Sequence, residues 1–533
     1  MENTKINTYL GQKGYTINKN EISIEKQKQI RNDLTIKPVS HGAPGGGGNA
    51  QVSFPAYRES SNKFYVPHYY GLKNFGAPKE YKISEGHNID LDFAGTLREG
   101  QIPVVETYIN HIEKVGIGGG LLELPCAFGK TCLALNIISR LKKKTFIIVH
   151  KEFLMNQWIE RIQQFLPKAR IGKIQGPVID IDDKDIVIGM LQSLSMKEYP
   201  VSIFDSFGLT IIDEVHHISS EVFSNTLFKL VTKYMLGLSA TMNRKDGTTH
   251  VFKMFLGDVI FKGKRDEERK VTVRAIEYQV DDDEFNEVKL DYRGNVAYST
   301  MISKLCEYNR RSEFILKVLT DMFQENPSQQ IMVLAHNKNI LKYIHDAIKH
   351  RNIATVGYYI GGMKEQALKE TESKMVVIAT YSMAAEALDI KSLTTLIMAT
   401  PKTDIEQSVG RILREKHSSP IVVDIVDSHN TFKNQWRKRK TFYKKENYKI
   451  IYTTSPEYNP DTSVNSWTLV FNPVSNDCKL GKKDKNDKKN ISVKSNSSSD
   501  RSIANDSDEE VELVEEGPKD KYAPGVCLLK FKK

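Results

Sequence analysis

The sequence predicts an α/β chain with two tandem domains, each a parallel sheet covered by helices on both faces. A small N-terminal module precedes them, and a disordered C-terminal tail follows. Three observations carry this. Short, near-continuous apolar runs recur between about Leu91 and Ile450. Stretches of helical periodicity separate them, and such alternation fits strands buried on both faces. At about 360 residues, the region also exceeds what one such core fills, so it divides in two.

The first forty residues are polar and lysine-rich. The stretch His41 to Asn49 holds four consecutive glycines, Gly45 to Gly48, and reads as a linker. A phosphate cradle would need a strand before it and a helix after it, and neither pattern is present. Residues 52–75 are rich in Tyr, Phe and Pro, with Lys63-Phe64-Tyr65-Val66-Pro67-His68-Tyr69-Tyr70 at their centre. They read as a small packed module or as an arm stacking on bases, aromatic core being the commoner use.

Buried strands are expected at Thr145–Val149, Ile186–Met190, Gly208–Ile212, Ile331–Ala335, Met375–Ala379, Thr395–Met398 and Ile421–Ile425. Amphipathic helices are expected at Phe153–Phe165 and Asn339–Ile348. Charged Lys262–Arg269 and acidic Asp281–Glu284 mark the joint between domains. The division is therefore 1–90 for the N-terminal segment, 91–275 and 276–455 for the two domains, and 456–533 for the tail. The tail runs from a Lys/Asp/Asn stretch through serines to acidic Asp508–Glu516, too little apolar surface to offset its ordering entropy. Its end, Val526 to Phe531, is apolar enough to dock on the chain or on a partner.

Composition removes several classes. Of 533 residues, 40% are hydrophobic and 27% charged, an ordinary globular balance. The net charge of +10 suits a polyanionic partner, though solvated surface charge explains it equally well. No apolar run reaches the ~18–20 residues that cross a bilayer. Met1-Glu2-Asn3-Thr4-Lys5 leads into a polar stretch without the apolar core of a secretory signal. The cysteines, Cys126, Cys132, Cys306, Cys478 and Cys527, form no CxxC pair, which argues against a disulfide framework or zinc site and for a reducing compartment.

The strongest chemical signal is Leu124-Pro125-Cys126-Ala127-Phe128-Gly129-Lys130-Thr131, between an apolar segment and a helix pattern. Strand, tight loop and helix N-terminus place backbone N–H groups around a phosphate chain. Lys130 would neutralise the β- and γ-phosphates, and the Thr131 hydroxyl would ligate Mg2+. Leu124 and Ala127 stand where glycine is usual.

A second site, Leu209-Thr210-Ile211-Ile212-Asp213-Glu214-Val215-His216, is an apolar strand ending in two carboxylates. There Asp213 would hold Mg2+ and Glu214 would act as general base towards water. An acidic turn capping a helix is the bland alternative, and the lysine loop upstream weakens it. A third piece, Gln407-Ser408-Val409-Gly410-Arg411-Ile412-Leu413-Arg414, sets two arginines on one helical face. Guanidinium groups suit charge developing on a transferring phosphoryl, and an ATP site closed across two domains explains their place in the second.

Read in order, these segments resemble the superfamily 2 helicases and translocases over about Leu91 to Ile450. The resemblance implies two RecA-like domains, ATP and Mg2+ as cofactors, and hydrolysis stimulated by nucleic acid. It sets Arg98 and Gln101 in the adenine-reading element, and Pro125, Cys126, Ala127, Phe128, Gly129, Lys130, Thr131 and Gln407 around ATP. Phe146–Trp158 and Val187–Ser193, with Gln192, resemble strand-tracking motifs. His216, Ser239 and Thr241 fall where the family couples nucleotide to strand. Thr380 and Glu386-Ala387-Leu388-Asp389-Ile390 resemble a further motif, with Ala387 in place of glycine.

Leu236 to Gly247 and the Gln157-Trp158 pair are similar to the translocase of the transcription-and-repair factor. The 52–75 aromatics, Pro125-Cys126 and Gln435 to Lys445 are similar to transcript-release helicases of large cytoplasmic DNA viruses. That likeness implies 3′ to 5′ movement on DNA, a role in transcription elongation or termination, work beside the viral transcription machinery, and location in the cytoplasmic factory and the virion. It implies no membrane association, and a monomer is favoured.

Lys433–Lys449 holds eight Lys or Arg against one acidic residue, with Trp436, Phe442, Tyr443 and Tyr448 between them. Arg437, Lys438, Arg439 and Lys440 are thus candidate phosphate contacts, with the aromatics as stacking partners. A basic helix packing its aromatics on the second domain is the alternative. Three functional readings stand: a DNA motor, an RNA helicase, and an inactive nucleic-acid clamp. The clamp predicts decay of Lys130, Thr131, Asp213, Glu214, Arg411 and Arg414, yet all are present. A packaging-type ATPase does not account for Ser239–Thr241 or Gln407–Arg414.

Overall fold

The computed structural model describes residues 6–39, 53–125, 128–218, 220–242, 244, 246–263, 270–386, 390–412 and 420–473. The 41–49 linker therefore lies outside the described residues.

The N-terminal residues form more structure than their polarity suggests. Short strands Thr8–Gly11, Gly14–Asn18, Arg58–Glu59, Lys63–Val66 and Glu80–Lys82 build one five-stranded sheet, flanked by helices Ile24–Asp33 and His68–Phe75. Alternate residues point inward, so Leu10, Tyr15, Ile17, Phe64 and Val66 form a small core despite the lysines between them. The 52–75 aromatics resolve as packing rather than as an arm. Phe54 and Ala56 extend the first domain's core. The Tyr69 hydroxyl donates to the Gly119 carbonyl at 2.8 Å and accepts from the Gly119 N–H at 2.7 Å, fixing the module to that domain.

The first domain holds an eight-stranded sheet in the order Val178–Asp180, Ile171–Gln175, Ile186–Met190, Thr145–Val149, Leu209–Ile212, Tyr234–Ser239, Gly118–Glu123, Val259–Lys262. Pairing is parallel except at the Val178–Asp180 edge. Period-two alternation divides each strand between two layers. Ile147 and Val149 enter one core cluster, while Phe146 and Ile148 enter the other. Strands Gly118–Glu123, Thr145–Val149, Leu209–Ile212 and Tyr234–Ser239 thus end along one edge, where ligands of parallel sheets sit.

The second domain repeats the plan. Its sheet runs Val356–Tyr359, Val376–Thr380, Gln330–Ala335, Leu393–Met398, Ile421–Asp427, Thr272–Tyr278, Lys449–Thr454, Thr468–Phe471. Ile331, Val333 and Ala335 face one core cluster, and Met332 and Leu334 the other.

Two expected borders move. Strand Thr272–Tyr278 pairs in parallel with Ile421–Asp427, so the division at 275/276 cuts through a strand of the second sheet. Its Arg274 and Glu277 break the apolar run, being satisfied by Glu325 and by Lys433 and Tyr452. The tail also begins later than 456. Thr468–Phe471 pairs antiparallel with Lys449–Thr454, and Trp467 is buried in the core. Residues from 474 onward lie outside the described residues. Among the described residues, no helix is long and apolar enough to cross a membrane.

Candidate functional site

Strand Gly118–Glu123 feeds the loop that opens helix Lys130–Leu141. Gly129 occupies the helix N-cap at φ +91°, in the left-handed region. A Cβ there would lie 2.5 Å from Gln101 Nε2, so the position requires glycine for both backbone and space. Gln101 is buried and held at both ends of its amide: Nε2 donates to the Phe128 carbonyl at 2.7 Å, and Oε1 accepts from the Arg98 N–H at 2.9 Å. The Arg98 guanidinium also donates to the Phe128 carbonyl. The structure thus brings Arg98, Gln101, Phe128 and Gly129 into one cluster, with Pro125, Lys130 and Thr131 contiguous to it. Cys126 and Ala127 lie outside the described residues.

Strand Leu209–Ile212 delivers Asp213 and Glu214 to the same edge. Lys130 Nζ meets Glu214 Oε1 at 2.7 Å. Glu214 sits at φ +48°, a strained conformation for a residue with a Cβ, and its N–H donates to Asp213 Oδ1 at 3.0 Å. Asp213 is 7% exposed. Burial first, and then the Glu214 charge, push its carboxyl above the ordinary value, against the pull of Lys130.

The arrangement suits nucleotide and Mg2+ on its own terms. Two carboxylates face one lysine at the mouth of a helix N-terminus, and one of them is buried. A divalent cation held there would balance that excess and favour the ionised Asp213. A phosphate chain finds the helix N-terminus and the Lys130 ammonium together.

His216 and Ser239 also come together. Ser239 Oγ lies 2.6 Å from His216 Nδ1, and His216 Nδ1 lies 3.5 Å from Glu214 Oε2. The Ser239 hydroxyl also donates to the Thr241 carbonyl. Polar contacts therefore run from Glu214 through His216 to Ser239 and Thr241. Two residues that entered the sequence reading only inside longer motifs brace the site around Asp213 and His216. Arg244 donates to the His216 carbonyl at 2.6 Å and pairs with Asp246. Trp158 donates its indole N–H to Asp213 Oδ2 at 2.9 Å. Trp158 carried a signal in the Gln157-Trp158 pair, but nothing in the sequence pointed it at Asp213.

The remaining candidates lie on other elements. Gln192 is exposed and donates to the His150 carbonyl at 2.9 Å. Thr380 ends strand Val376–Thr380, its hydroxyl 3.3 Å from that of Ser382. Gln407 and Arg411 lie on helix Glu406–Arg411 in the second domain, with Arg411 buried. Ala387 and Arg414 lie outside the described residues.

Helix Asn430–Lys445 divides the basic cluster. Arg437 and Lys438 are exposed and Lys440 half-buried. Arg439 is a correction. It is 1% exposed and clasps Asp424 through two bonds of 2.8 and 2.9 Å, while Tyr443 donates to the same carboxylate. A guanidinium so placed holds the helix on its sheet and does not present to a strand. Trp436, Tyr443 and Tyr448 are likewise core residues, not stacking platforms.

Residues 94–244 match the family described as "Type III restriction enzyme, res subunit". A protein of Acanthamoeba polyphaga mimivirus, provisionally named an ATP-dependent RNA helicase, is 36% identical over 458 residues, covering 84% of this chain and 86% of its own. A similarly named protein of African swine fever virus is 27% identical over 383 residues, 67% of this chain and 74% of its own. The crystal structure of T4 UvsW covers 81% of this chain and 96% of its own at 18% identity and a TM-score of 0.31, too distant to add weight. Fold, site and matches define a superfamily 2 helicase, an ATP-hydrolysing enzyme. Within that class the chain belongs to the family of helicases of large DNA viruses that includes the mimivirus protein.

Proposed function

We propose that this protein is an ATP-driven motor that moves along a nucleic-acid strand, DNA in the first reading and 3′ to 5′, during transcription elongation or transcript release in a large DNA virus. The observation that carries the motor reading is the Lys130–Glu214 ion pair beside buried Asp213, at the end of a parallel sheet. In this reading Lys130 holds the phosphates, while Thr131 and Asp213 would hold the Mg2+ ion. The ion supplies charge neutralisation on the phosphates. Arg98 and Gln101 face the adenine, for which the fixed Gln101 amide has a second N–H and a second lone pair.

As phosphate takes over Lys130, the Glu214 carboxylate is released to orient the attacking water and accept its proton. Arg411, Arg414 and Gln407 would complete the site from the second domain. His216, Ser239 and Thr241 pass the change in Glu214 towards the strand. Gln192, Thr380, Arg437, Lys438 and Lys440 contact phosphates along it.

RNA as the track is favoured by the names of the mimivirus and African swine fever virus relatives. Translocation on single-stranded DNA and RNA of both polarities, followed by displacement of a roadblock, separates the readings. Movement on DNA towards the 5′ end supports the first reading. Movement on RNA alone replaces it with the second. Hydrolysis without movement on either removes the motor.

A further inference from the structure

Helix Glu152–Phe165 touches both the buried carboxylate and the second domain. Its inward side carries Leu154, Met155, Trp158 and Ile162, all in the core. Trp158 is 1% exposed, and its indole N–H meets Asp213 Oδ2 at 2.9 Å. An indole nitrogen can only donate. A large ring locked in a close-packed core also has little room to turn. This bond therefore fixes one Asp213 oxygen, while the Glu214 N–H fixes the other.

Phe153, Asn156 and Glu160 are spaced three and four apart, so they share a second stripe of the same helix. Phe153 packs against the core of the second domain. Asn156 Nδ2 donates to Glu365 Oε2 at 3.2 Å, and Lys369 Nζ meets Glu160 Oε1 at 2.8 Å. Lys369 also lies 3.2 Å from Glu365, joining the polar contacts into one cluster. The exposed ion pairs are individually weak. Phe153 adds a packed contact beside them.

We propose that Trp158 is a positioning residue for Asp213, and that helix Glu152–Phe165 transmits the placement of the second domain to that carboxylate. This rests on the reading of Asp213 as a Mg2+ ligand. Displacement of the second domain acts on the Phe153, Asn156 and Glu160 stripe. The helix moves as a unit, and Trp158 carries the movement to the carboxylate through its N–H. Closure of the two domains and readiness of the metal site then become one event.

The test uses the full chain and three variants. Trp158→Phe keeps a ring in the core and removes the N–H; Asp213→Asn removes the charge; Lys369→Glu reverses the contact facing Glu160 and Glu365. Affinity for a fluorescent ATP analogue is measured with and without Mg2+. Trp158→Phe is expected to lose about tenfold of the Mg2+-dependent gain while metal-free affinity stays within about twofold. If Asp213→Asn keeps the whole gain, the metal reading fails. If Asp213→Asn loses it and Trp158→Phe keeps it, the positioning role is overturned. Strand-stimulated turnover then tests transmission. Lys369→Glu should lower it about fivefold in the wild-type background and under about twofold beside Trp158→Phe. Equal fold losses in the two backgrounds would overturn transmission through Trp158.

Discussion

Lys130 and Glu214, 84 residues apart in sequence, meet in an ion pair of 2.7 Å at the end of the first sheet. The pair joins the phosphate loop to the acidic strand end and places both beside the buried Asp213. Lys130→Ala should lower ATP turnover at least about a hundredfold by removing charge from the developing phosphoryl. Glu214→Gln should lower turnover about a hundred- to ten-thousand-fold while nucleotide still binds. Steady-state hydrolysis and nucleotide titration, taken together, separate the two losses.

Gly129→Ala should weaken the loop without unfolding the domain. The left-handed backbone there strains any side chain by about 1–2 kcal/mol. The new methyl would also push Gln101 from its bond to Phe128. Nucleotide affinity is expected to fall about tenfold, with a melting temperature within a few degrees of wild type, checked by titration and thermal unfolding.

Basic residues of one helix should part into two kinds. Arg439→Met leaves Asp424 buried beside Tyr443 without its cation, and should destabilise the second domain by about 3–5 kcal/mol. Arg437→Glu or Lys438→Glu should leave the melting temperature near wild type. Each should weaken strand binding across sequences and reduce its salt dependence by about one phosphate contact. Thermal unfolding and binding at several salt concentrations give both readouts.

His68 should make stability fall in mild acid. Burial lowers its pKa from 6.5 to about 4. Below pH 6.5 the unfolded chain takes up a proton that the folded chain refuses, so stability drops as pH falls from 6.5 towards 4. At pH 5 the loss is about 2 kcal/mol. Denaturant unfolding of wild type and His68→Phe from pH 7 to pH 4.5 tests this: the variant should lack that part of the slope.

The parallel sheets were legible because their strands are apolar on both faces. Thr145–Val149 and Ile186–Met190 match the structure residue for residue, and helix Glu152–Phe165 is off by one. Thr272–Tyr278 was missed because Arg274 and Glu277 interrupt its pattern, and their partners lie far along the chain. The N-terminal strands were missed because glycine, threonine, asparagine and lysine interrupt their few apolar residues, unlike the unbroken apolar runs of the parallel sheets. At the site, motif spacing pointed to Lys130, Asp213 and Glu214. It held Trp158 and Arg244 inside longer motifs without showing that they meet Asp213 and the His216 carbonyl, contacts that exist only in three dimensions. Arg439 shows the converse limit: a lysine-and-arginine run does not say which cation turns inward.

ATP hydrolysis by the full chain, without nucleic acid and with single-stranded DNA, duplex DNA or single-stranded RNA, beside Lys130→Ala, tests the central claim most directly. Turnover that a strand raises severalfold and that Lys130→Ala abolishes is the predicted result. No turnover under any of these conditions, or turnover that Lys130→Ala leaves intact, would contradict an ATP motor built on the Lys130–Glu214 site.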